Sequence, residues 1–175
     1  MAVDRRIQKT RKIIYEAFLE ILNEKGYDQI RVQDIIDLAN VGSSTFYQHY
    51  ESKEVLLDQL CQELFHHIFY QEEDSSFKDY LVHIVMHFKK NKDRVASLLL
   101  SNNPYFLLHL KAELEHDVYP VLYQNYVKDK KIPEPFIHQF VVSSFIETLK
   151  WWLHQRDMIS EEELITYYLQ MITNN

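Results

Sequence analysis

With 175 residues, 46% of them hydrophobic, the chain can bury the core of one or two domains, and its two glycines and four prolines favour long helices over many strands. The single cysteine, Cys61, excludes an intramolecular disulfide and suits a reducing compartment, and the amino terminus lacks the apolar run of a secretory leader. Because no segment approaches about eighteen uninterrupted apolar residues, we expect a soluble, cytoplasmic protein, whose net charge of −7 opposes nucleic-acid binding unless basic residues are clustered.

The excess negative charge lies outside the first 53 residues. That segment holds eight Lys or Arg and eight Asp or Glu, whereas the rest of the chain holds 11 basic and 18 acidic residues. Within the first twelve residues, a single acidic residue accompanies the basic side chains of Arg5, Arg6, Lys9, Arg11 and Lys12. Such a cluster can neutralise phosphates at a duplex edge, although a basic end that only keeps the chain soluble would look the same.

Apolar residues at helical spacing predict two helices before residue 40. The first runs from about residue 4 to residue 25, with Ile7, Ile14 and Phe18 on one face, and ends at a left-handed Gly26. The second helix is short, and its apolar face comprises Val32, Ile35, Ile36 and Ala39. Residues 40–42 then supply a tight turn, in which we expect Gly42 to take a positive φ.

The next eight residues, SSTFYQHY, predict a short helix with two different faces. Phe46 and Tyr50, four residues apart, are expected to point into the core. The outward face then carries hydroxyl, amide and imidazole groups, which can donate to phosphates and base edges. Thr45 can offer its methyl group to a thymine, and Gln48 can pair with an adenine. On spacing alone, an ordinary helical corner in an enzyme fits the pattern equally well.

These segments together resemble a known DNA-binding domain. Residues 32–36 (VQDII), 39–41 (ANV), 45–50 (TFYQHY) and 52–57 (SKEVLL) are similar to the amino-terminal domain of the TetR (tetracycline-repressor-type) family of bacterial regulators. The resemblance covers roughly residues 7–57. It implies an all-α homodimer with an operator-binding head and a carboxy-terminal domain that binds a small molecule.

The resemblance also implies roles for individual residues. By position, Tyr47, His49 and Lys53 match residues that meet backbone phosphates, and Gln48 with residues 43–45 matches those nearest the bases. The predicted DNA-binding residues are Arg5, Arg6, Lys9, Arg31, Ser43, Ser44, Thr45, Tyr47, Gln48, His49 and Lys53.

Three residues depart from the usual pattern of the family. Asn40 stands in place of a glycine, Gly42 in place of a serine, and Arg31 in place of a threonine that opens the second helix. None of these changes is expected to break the fold. Arg31 would exchange a hydroxyl contact with a phosphate for a charge-assisted one.

Six further helices are predicted after the helix-turn-helix segment, so we expect an all-α chain with about nine helices in total. A linker helix over residues 53–70 and a polar break at 71–76 separate a helix-turn-helix domain (1–53) from a regulatory and dimerisation domain (71–175). Capping patterns start helices at Ser76 and Ser160, and prolines start helices near residues 104 and 133. A short helix spans residues 93–100. Pro120 should kink or break the longer helix that begins near residue 104.

The last two predicted helices resemble the pair with which the family builds a four-helix dimer interface. The candidate interface residues are Phe136, Phe140, Ser144, Thr148, Trp152 and Tyr168. The same side chains can instead fill the core of the protomer. The run FIETLKWWL within this segment also resembles the body of regulators of dihydroxyacetone kinase operons.

Histidines provide the candidates for further chemistry. His83 and His87, four residues apart, have a spacing that can hold a divalent metal, but no third ligand or metal motif accompanies them. Such pairs are more often ordinary helix residues. Alternatively they line an apolar ligand pocket, for which the candidates are Tyr80, His83, His87, Phe88, Phe106, His109 and Glu147.

We therefore predict a cytoplasmic, homodimeric transcriptional repressor that binds double-stranded DNA at a palindromic operator and is released by a small-molecule effector. No catalytic motif is present, and we expect no enzymatic activity, no cofactor, no metal and no membrane partner. Two alternatives stay open. One is a coactivator that docks on another regulator and binds little DNA itself, and the other is a metal-dependent enzyme that uses His83 and His87.

Overall fold

The computed structural model describes residues 2–70, 75–128, 131–156 and 159–173, and every regular element in these ranges is helical. The chain divides into two compact units, Met1–Glu63 and Leu64–Asn175, which we call the head and the body. The predicted polar break at residues 71–76 falls mostly outside the described residues, so the predicted domain boundary stays a prediction. Among the described residues, no helix is long and apolar enough to cross a membrane.

The head contains the first three helices and most of the fourth. Its elements are α1 (Ala2–Lys25), a 3₁₀ turn (Tyr27–Gln29), α2 (Val32–Ala39), α3 (Ser43–His49) and α4 (Lys53–Ile68). The side chains of Ile14, Phe18 and Leu22 on α1 are buried at helical spacing, whereas Ile7, predicted on the same face, is 43% exposed. The buried stripe of α1 therefore begins two turns later than the sequence pattern suggests.

Gly26 ends α1 with a positive φ, but in a different conformation from the predicted one. Its φ is 74° and its ψ is 157°. This ψ is far from the value of about 47° that the left-handed helical conformation has. Only glycine adopts this combination at low energy because it has no Cβ. The chain leaves α1 in this conformation and enters the 3₁₀ turn that leads to α2.

The body contains the remaining helices. They are α5 (Phe77–Lys90), α6 (Lys92–Leu100), α7 (Pro104–Glu113), α8 (Tyr119–Leu122), α9 (Glu134–His154) and α10 (Glu161–Thr173). The predicted caps are confirmed: Ser76 Oγ accepts from the Asp79 N–H at 3.1 Å, and Ser160 Oγ accepts from the Glu163 N–H at 3.2 Å. These bonds satisfy N–H groups that a helix start leaves without partners.

Of the kink or break predicted at Pro120, the break is wrong, because the chain stays helical from Pro104 to Val127. On either side of α8 the helix widens into a π turn, at Leu114–Val118 and Tyr123–Val127. A proline lacks an N–H and its ring clashes with the carbonyl four residues earlier, and the wider turn before Pro120 leaves more room between the ring and that carbonyl. Counted with its π turns as one helix, this run brings the helices of the described chain to nine, as predicted.

Two of the predicted interface residues belong instead to the core of the body, where α10 packs on α5 and α9. Trp152 is fully buried, and its indole N–H donates to the Ile159 carbonyl at 2.9 Å. Tyr168 is also buried, and its hydroxyl donates to the Val141 carbonyl at 2.9 Å. Because both polar groups are satisfied inside one protomer, these two side chains contribute mainly to its core, although Tyr168 also lines a groove on the surface of α9 and α10.

Candidate nucleic-acid interface

The turn between α2 and α3 is formed by Asn40. This residue adopts a left-handed conformation, with φ 51° and ψ 49°. Its N–H donates to the Asp37 carbonyl at 3.2 Å, and the N–H of Val41 donates to the Ile36 carbonyl at 3.2 Å. This pair of bonds is a Schellman motif, which ends a helix and redirects the chain.

Gly42 does not have the positive φ that we predicted. With φ −75° and ψ 151° it is extended, and its carbonyl accepts the first hydrogen bond of α3 from Phe46 at 3.0 Å. Asparagine is the non-glycine residue that most readily takes the left-handed conformation, so Asn40 performs the role that the prediction gave to Gly42.

The buried face of α3 is as predicted. Phe46 and Tyr50 are buried, and their rings lie 6.2 Å apart. The guanidinium of Arg11, on α1, lies 5.1 Å from the centre of the Tyr50 ring. The residue that follows α3 is therefore held against α1.

The opposite face of α3 presents polar groups to solvent. Ser43, Ser44 and Gln48 are exposed, and Tyr47 is 57% exposed although it is aromatic. Thr45 and His49 are half-buried at the edges of this face. The ring of Tyr47 meets the ring of Phe46 edge-on, with 5.3 Å between their centres, and this contact restrains the Tyr47 ring. This face can therefore donate and accept hydrogen bonds without rearranging the core.

The start of α2 is held by an ion pair. Arg31 is exposed, its backbone N–H donates to Asp34 Oδ2 at 2.9 Å, and its guanidinium donates to Asp34 Oδ1 at 3.2 Å. The bond from the Arg31 N–H, then the guanidinium bond, lower the pKa of Asp34 to about 2. Lys25 Nζ also lies 3.4 Å from this carboxylate. Arg31 thus reaches solvent from a fixed backbone, with part of its charge already paired.

Lys53 has partners inside the head that the sequence did not reveal. Its ammonium donates to the Tyr27 carbonyl at 3.2 Å and to the Ile30 carbonyl at 2.9 Å. It also lies 4.4 Å from the centre of the Tyr27 ring. The Tyr27 hydroxyl donates to Glu54 at 3.2 Å. The first residues of α4 thereby hold the 3₁₀ turn that precedes α2.

The predicted basic residues near the amino terminus lie on α1. Arg5, Arg6 and Lys9 are all exposed and belong to its first turns. Because they are part of a helix, their spacing is set by the helix and not by a loose arm. Their contribution to DNA binding stays a prediction.

Comparison with known proteins identifies this arrangement. The family pattern described as "Bacterial regulatory proteins, tetR family" matches residues 14–60, and the pattern described as "Transcriptional regulator C-terminal region" matches residues 75–174. A TetR transcriptional regulator from Streptococcus agalactiae 2603V, whose crystal structure is known, is 59% identical, covers 99% of each chain and superposes with a TM-score of 0.94. The chain belongs to the TetR family. As a member of the TetR family it is a DNA-binding transcriptional regulator and not an enzyme.

Two curated TetR-type relatives match part of the chain. The dhaKLM operon transcriptional activator DhaS of Lactococcus lactis is 36% identical over 53 residues, which are 30% of this chain and 28% of DhaS. The transcriptional repressor DhaR of Mycobacterium sp. is 40% identical over 55 residues, which are 31% of this chain and 28% of DhaR. The chain thus spans less than a third of the length of either relative, and one is named an activator and the other a repressor.

The predicted pocket residues of this TetR-family body are not brought together as a set. Phe88 and Phe106 are core residues, and Tyr80 is buried with its hydroxyl donating to the Phe69 carbonyl at 3.2 Å. Glu147 lies on the surface and accepts from Lys150 at 2.6 Å. Glu147 is therefore not a polar anchor in an apolar pocket.

The three histidines of the pocket prediction are half-buried. The rings of His83 and His87 lie 4.3 Å apart, and His83 Nε2 is 3.3 Å from the His67 carbonyl. Burial, followed by the charge of His83, lowers the pKa of His87. His109 contacts the ring of Tyr105 at 5.1 Å. Among the described residues, no group of three or more His, Cys, Asp or Glu side chains can hold a metal ion.

Proposed function

We propose that this TetR-family regulator is a cytoplasmic repressor that binds a palindromic operator as a homodimer and is released by a small-molecule effector. The two faces of α3 carry the proposal. Phe46 and Tyr50 fix the inward face, while Ser43, Ser44, Tyr47 and Gln48 present hydrogen-bonding groups to solvent. In a helix-turn-helix, this is the helix that enters the major groove.

The proposal divides the contacts to DNA between phosphates and bases. Tyr47, His49 and Arg31 would meet phosphates, together with Arg5, Arg6 and Lys9 on α1. Gln48 and residues 43–45 would lie nearest the base edges. Since residues 1–53 carry as many acidic as basic side chains, a few placed cations must supply the attraction to phosphates. Two heads held at fixed spacing would then be needed for high affinity.

An exposed apolar face on α9 and α10 supports a homodimer. Its side chains are each more than half exposed, up to 81% for Met171, and comprise Phe136, Phe140, Trp151, Tyr167 and Met171. Four of them line a groove of about 360 Å³ together with Ser144 and Thr148, so the surface is continuous. A folded monomer rarely leaves such a patch in water, and aromatic side chains and methionine are enriched in interface cores. Trp151 thus replaces the neighbouring Trp152 as the interface tryptophan.

The hydroxyl of Tyr119 in the body supports the proposal that a small-molecule effector binds there. The Tyr119 hydroxyl is buried and has no hydrogen-bond partner within the described chain. Tyr119 lies between the two π turns, and its ring meets His138 edge-on at 4.6 Å. A buried hydroxyl without a partner costs about 1–3 kcal/mol, and a ligand with a hydrogen-bonding group would recover that cost. Effector binding would then favour a conformation with the wrong spacing between heads.

Footprinting on the upstream region of its own gene tests operator binding. At low salt, the protein should protect an inverted repeat with half-sites about one helical turn apart, or a multiple of it. Transcription from a reporter that carries this repeat should fall when the protein is expressed. A protected repeat with increased transcription would rule out repression, and the absence of any protected repeat would favour the coactivator alternative.

A further inference from the structure

Lys53 and Asp34 hold the same peptide group from opposite sides. The carbonyl oxygen of Ile30 accepts from Lys53 Nζ at 2.9 Å. The N–H of the same peptide bond, which belongs to Arg31, donates to Asp34 Oδ2 at 2.9 Å. Rotation of this peptide would break both bonds. Because each bond involves an ionised side chain, each is stronger than a neutral hydrogen bond.

This peptide sets the direction in which α2 begins. Ile30 is extended, with φ −78° and ψ 125°, and Arg31 is the cap residue at the start of α2. The Schellman turn at Asn40 then joins α2 directly to α3. A change at the Ile30–Arg31 peptide would therefore tilt α2 and carry α3 with it.

We propose that Lys53 is a positioning residue for the recognition helix α3, acting through the Ile30–Arg31 peptide. Its ammonium has three N–H groups. Two of them donate to main-chain carbonyls, and the ammonium also contacts the Tyr27 ring. This inference rests on the DNA binding through α3 proposed above.

Three roles of Lys53 predict three different results for Lys53→Gln. A phosphate ligand would weaken binding to every duplex alike and reduce the salt slope by about 0.9 for each head. A residue that only stabilises the fold would weaken binding to every duplex alike and leave the slope unchanged. A positioning residue would weaken binding to the operator and spare binding to unrelated DNA, because only sequence-specific contacts need an accurate α3.

The experiment uses the full chain and the duplex that the wild-type protein selects from a random pool. Affinity is measured for this duplex and for a scrambled duplex of equal length, over a range of salt concentrations. Lys78→Gln is the matched control, because it removes the same charge from an exposed residue of α5 in the body. Lys53→Gln should lose about tenfold in affinity for the selected duplex, the worth of about one hydrogen bond, with unchanged affinity for the scrambled one. Parallel losses on both duplexes would overturn the proposal.

Asp34→Asn tests the other side of the peptide, and covers the case in which Lys53→Gln does not fold. Asp34 is negatively charged and cannot be a phosphate ligand, so it can affect specificity only through position. The ratio of the two affinities should fall for this variant as well, and an unchanged ratio would count against the proposal. If the wild-type protein prefers no duplex, the proposed operator binding fails. The peptide is then tested alone: the Arg31 amide should exchange faster in Lys53→Gln than in Lys78→Gln, and equal rates would overturn the proposal.

Discussion

The hydroxyl of Tyr50 donates to Gln59 Oε1 across 3.1 Å, which ties the end of the recognition helix to the middle of α4. Gln59 Nε2 donates onward to Glu63 Oε1 at 2.9 Å, and Glu63 Oε2 accepts from the Tyr15 hydroxyl at 2.8 Å. One chain of hydrogen bonds thus joins α1, α4 and the residue after α3 within the head. Such networks hold helices in register as well as contributing to stability.

Tyr50→Phe should destabilise the head by about 1 kcal/mol, the net worth of one hydrogen bond. The ring stays buried, so packing is preserved and only the hydroxyl is lost. Chemical denaturation of the full chain measures the change. A loss of more than a few kcal/mol would show that the ring itself had moved.

Tyr47→Phe is the matched change on the exposed face of the same helix. Because the Tyr47 side chain is largely in solvent, stability should change by less than about 0.5 kcal/mol. If Tyr47 meets a phosphate as proposed above, affinity for the operator should fall instead, and by a similar factor on every sequence. Equal stability losses for Tyr47→Phe and Tyr50→Phe would contradict the division of α3 into two faces.

Asn40 and Gly42 should respond in opposite ways to alanine. Asn40→Ala should cost about 1–2 kcal/mol, since alanine is strained in the left-handed conformation. Gly42→Ala should be neutral or stabilise the protein by about 0.4–1 kcal/mol. The φ of Gly42 suits alanine, and alanine at this position loses less conformational entropy on folding than glycine does. A Cβ at Gly42 would lie 3.8 Å from Thr45 Oγ1, an ordinary contact. Thermal unfolding of both variants checks the signs, and destabilisation by Gly42→Ala would disprove this account of the turn.

The stability contributed by Asp34 should depend on pH. Its pKa is lowered from 3.8 to about 2 in the folded head, chiefly by the bond from the Arg31 N–H. A carboxyl whose pKa is lower in the folded than in the unfolded state stabilises the fold fully above about pH 4, and loses this effect as the pH falls toward 2. The difference in melting temperature between wild type and Asp34→Asn should be constant from pH 7 to 5 and shrink below pH 4. A difference that grows on acidification would have the wrong sign.

Phe140→Asp should weaken self-association about a hundredfold or more, since a charge buried at an interface without a partner costs about 3–5 kcal/mol. Sedimentation velocity over a range of protein concentrations measures the monomer–dimer equilibrium. Leu108→Asp is the control, because Leu108 is exposed on α7 and outside the α9 and α10 face. If both variants associate like wild type, the dimer uses a different surface.

Gln48→Ala should relax base preference at one or two positions of each half-site and leave the other positions unchanged. A lost amide pair to a base edge costs about 1–3 kcal/mol of discrimination at that base pair. Binding to a set of operators with single base-pair changes measures the preference at each position. A uniform loss across all of them would instead assign Gln48 to the phosphates.

Local patterns in the sequence determined most of the secondary structure and the two faces of α3. Apolar spacing located the helices, and Ser76 and Ser160 marked helix starts, because caps and amphipathic faces depend on residues within a few positions of one another. The same logic placed Phe46 and Tyr50 inward. The family was also recognisable, since its motif lies within a short stretch of chain.

Only the tertiary structure decided which of several suitable residues takes each role. Asn40 and Gly42 can both adopt a positive φ, and Trp151 and Trp152 are adjacent, but the packing of the folded chain selected Asn40 for the turn and Trp152 for the core. Pro120 continues a helix because π turns accommodate it. Lys53 and Ile30 are 23 residues apart, so no local pattern could show that the ammonium binds that carbonyl. These outcomes depend on contacts between distant segments, which the sequence specifies only through the fold as a whole.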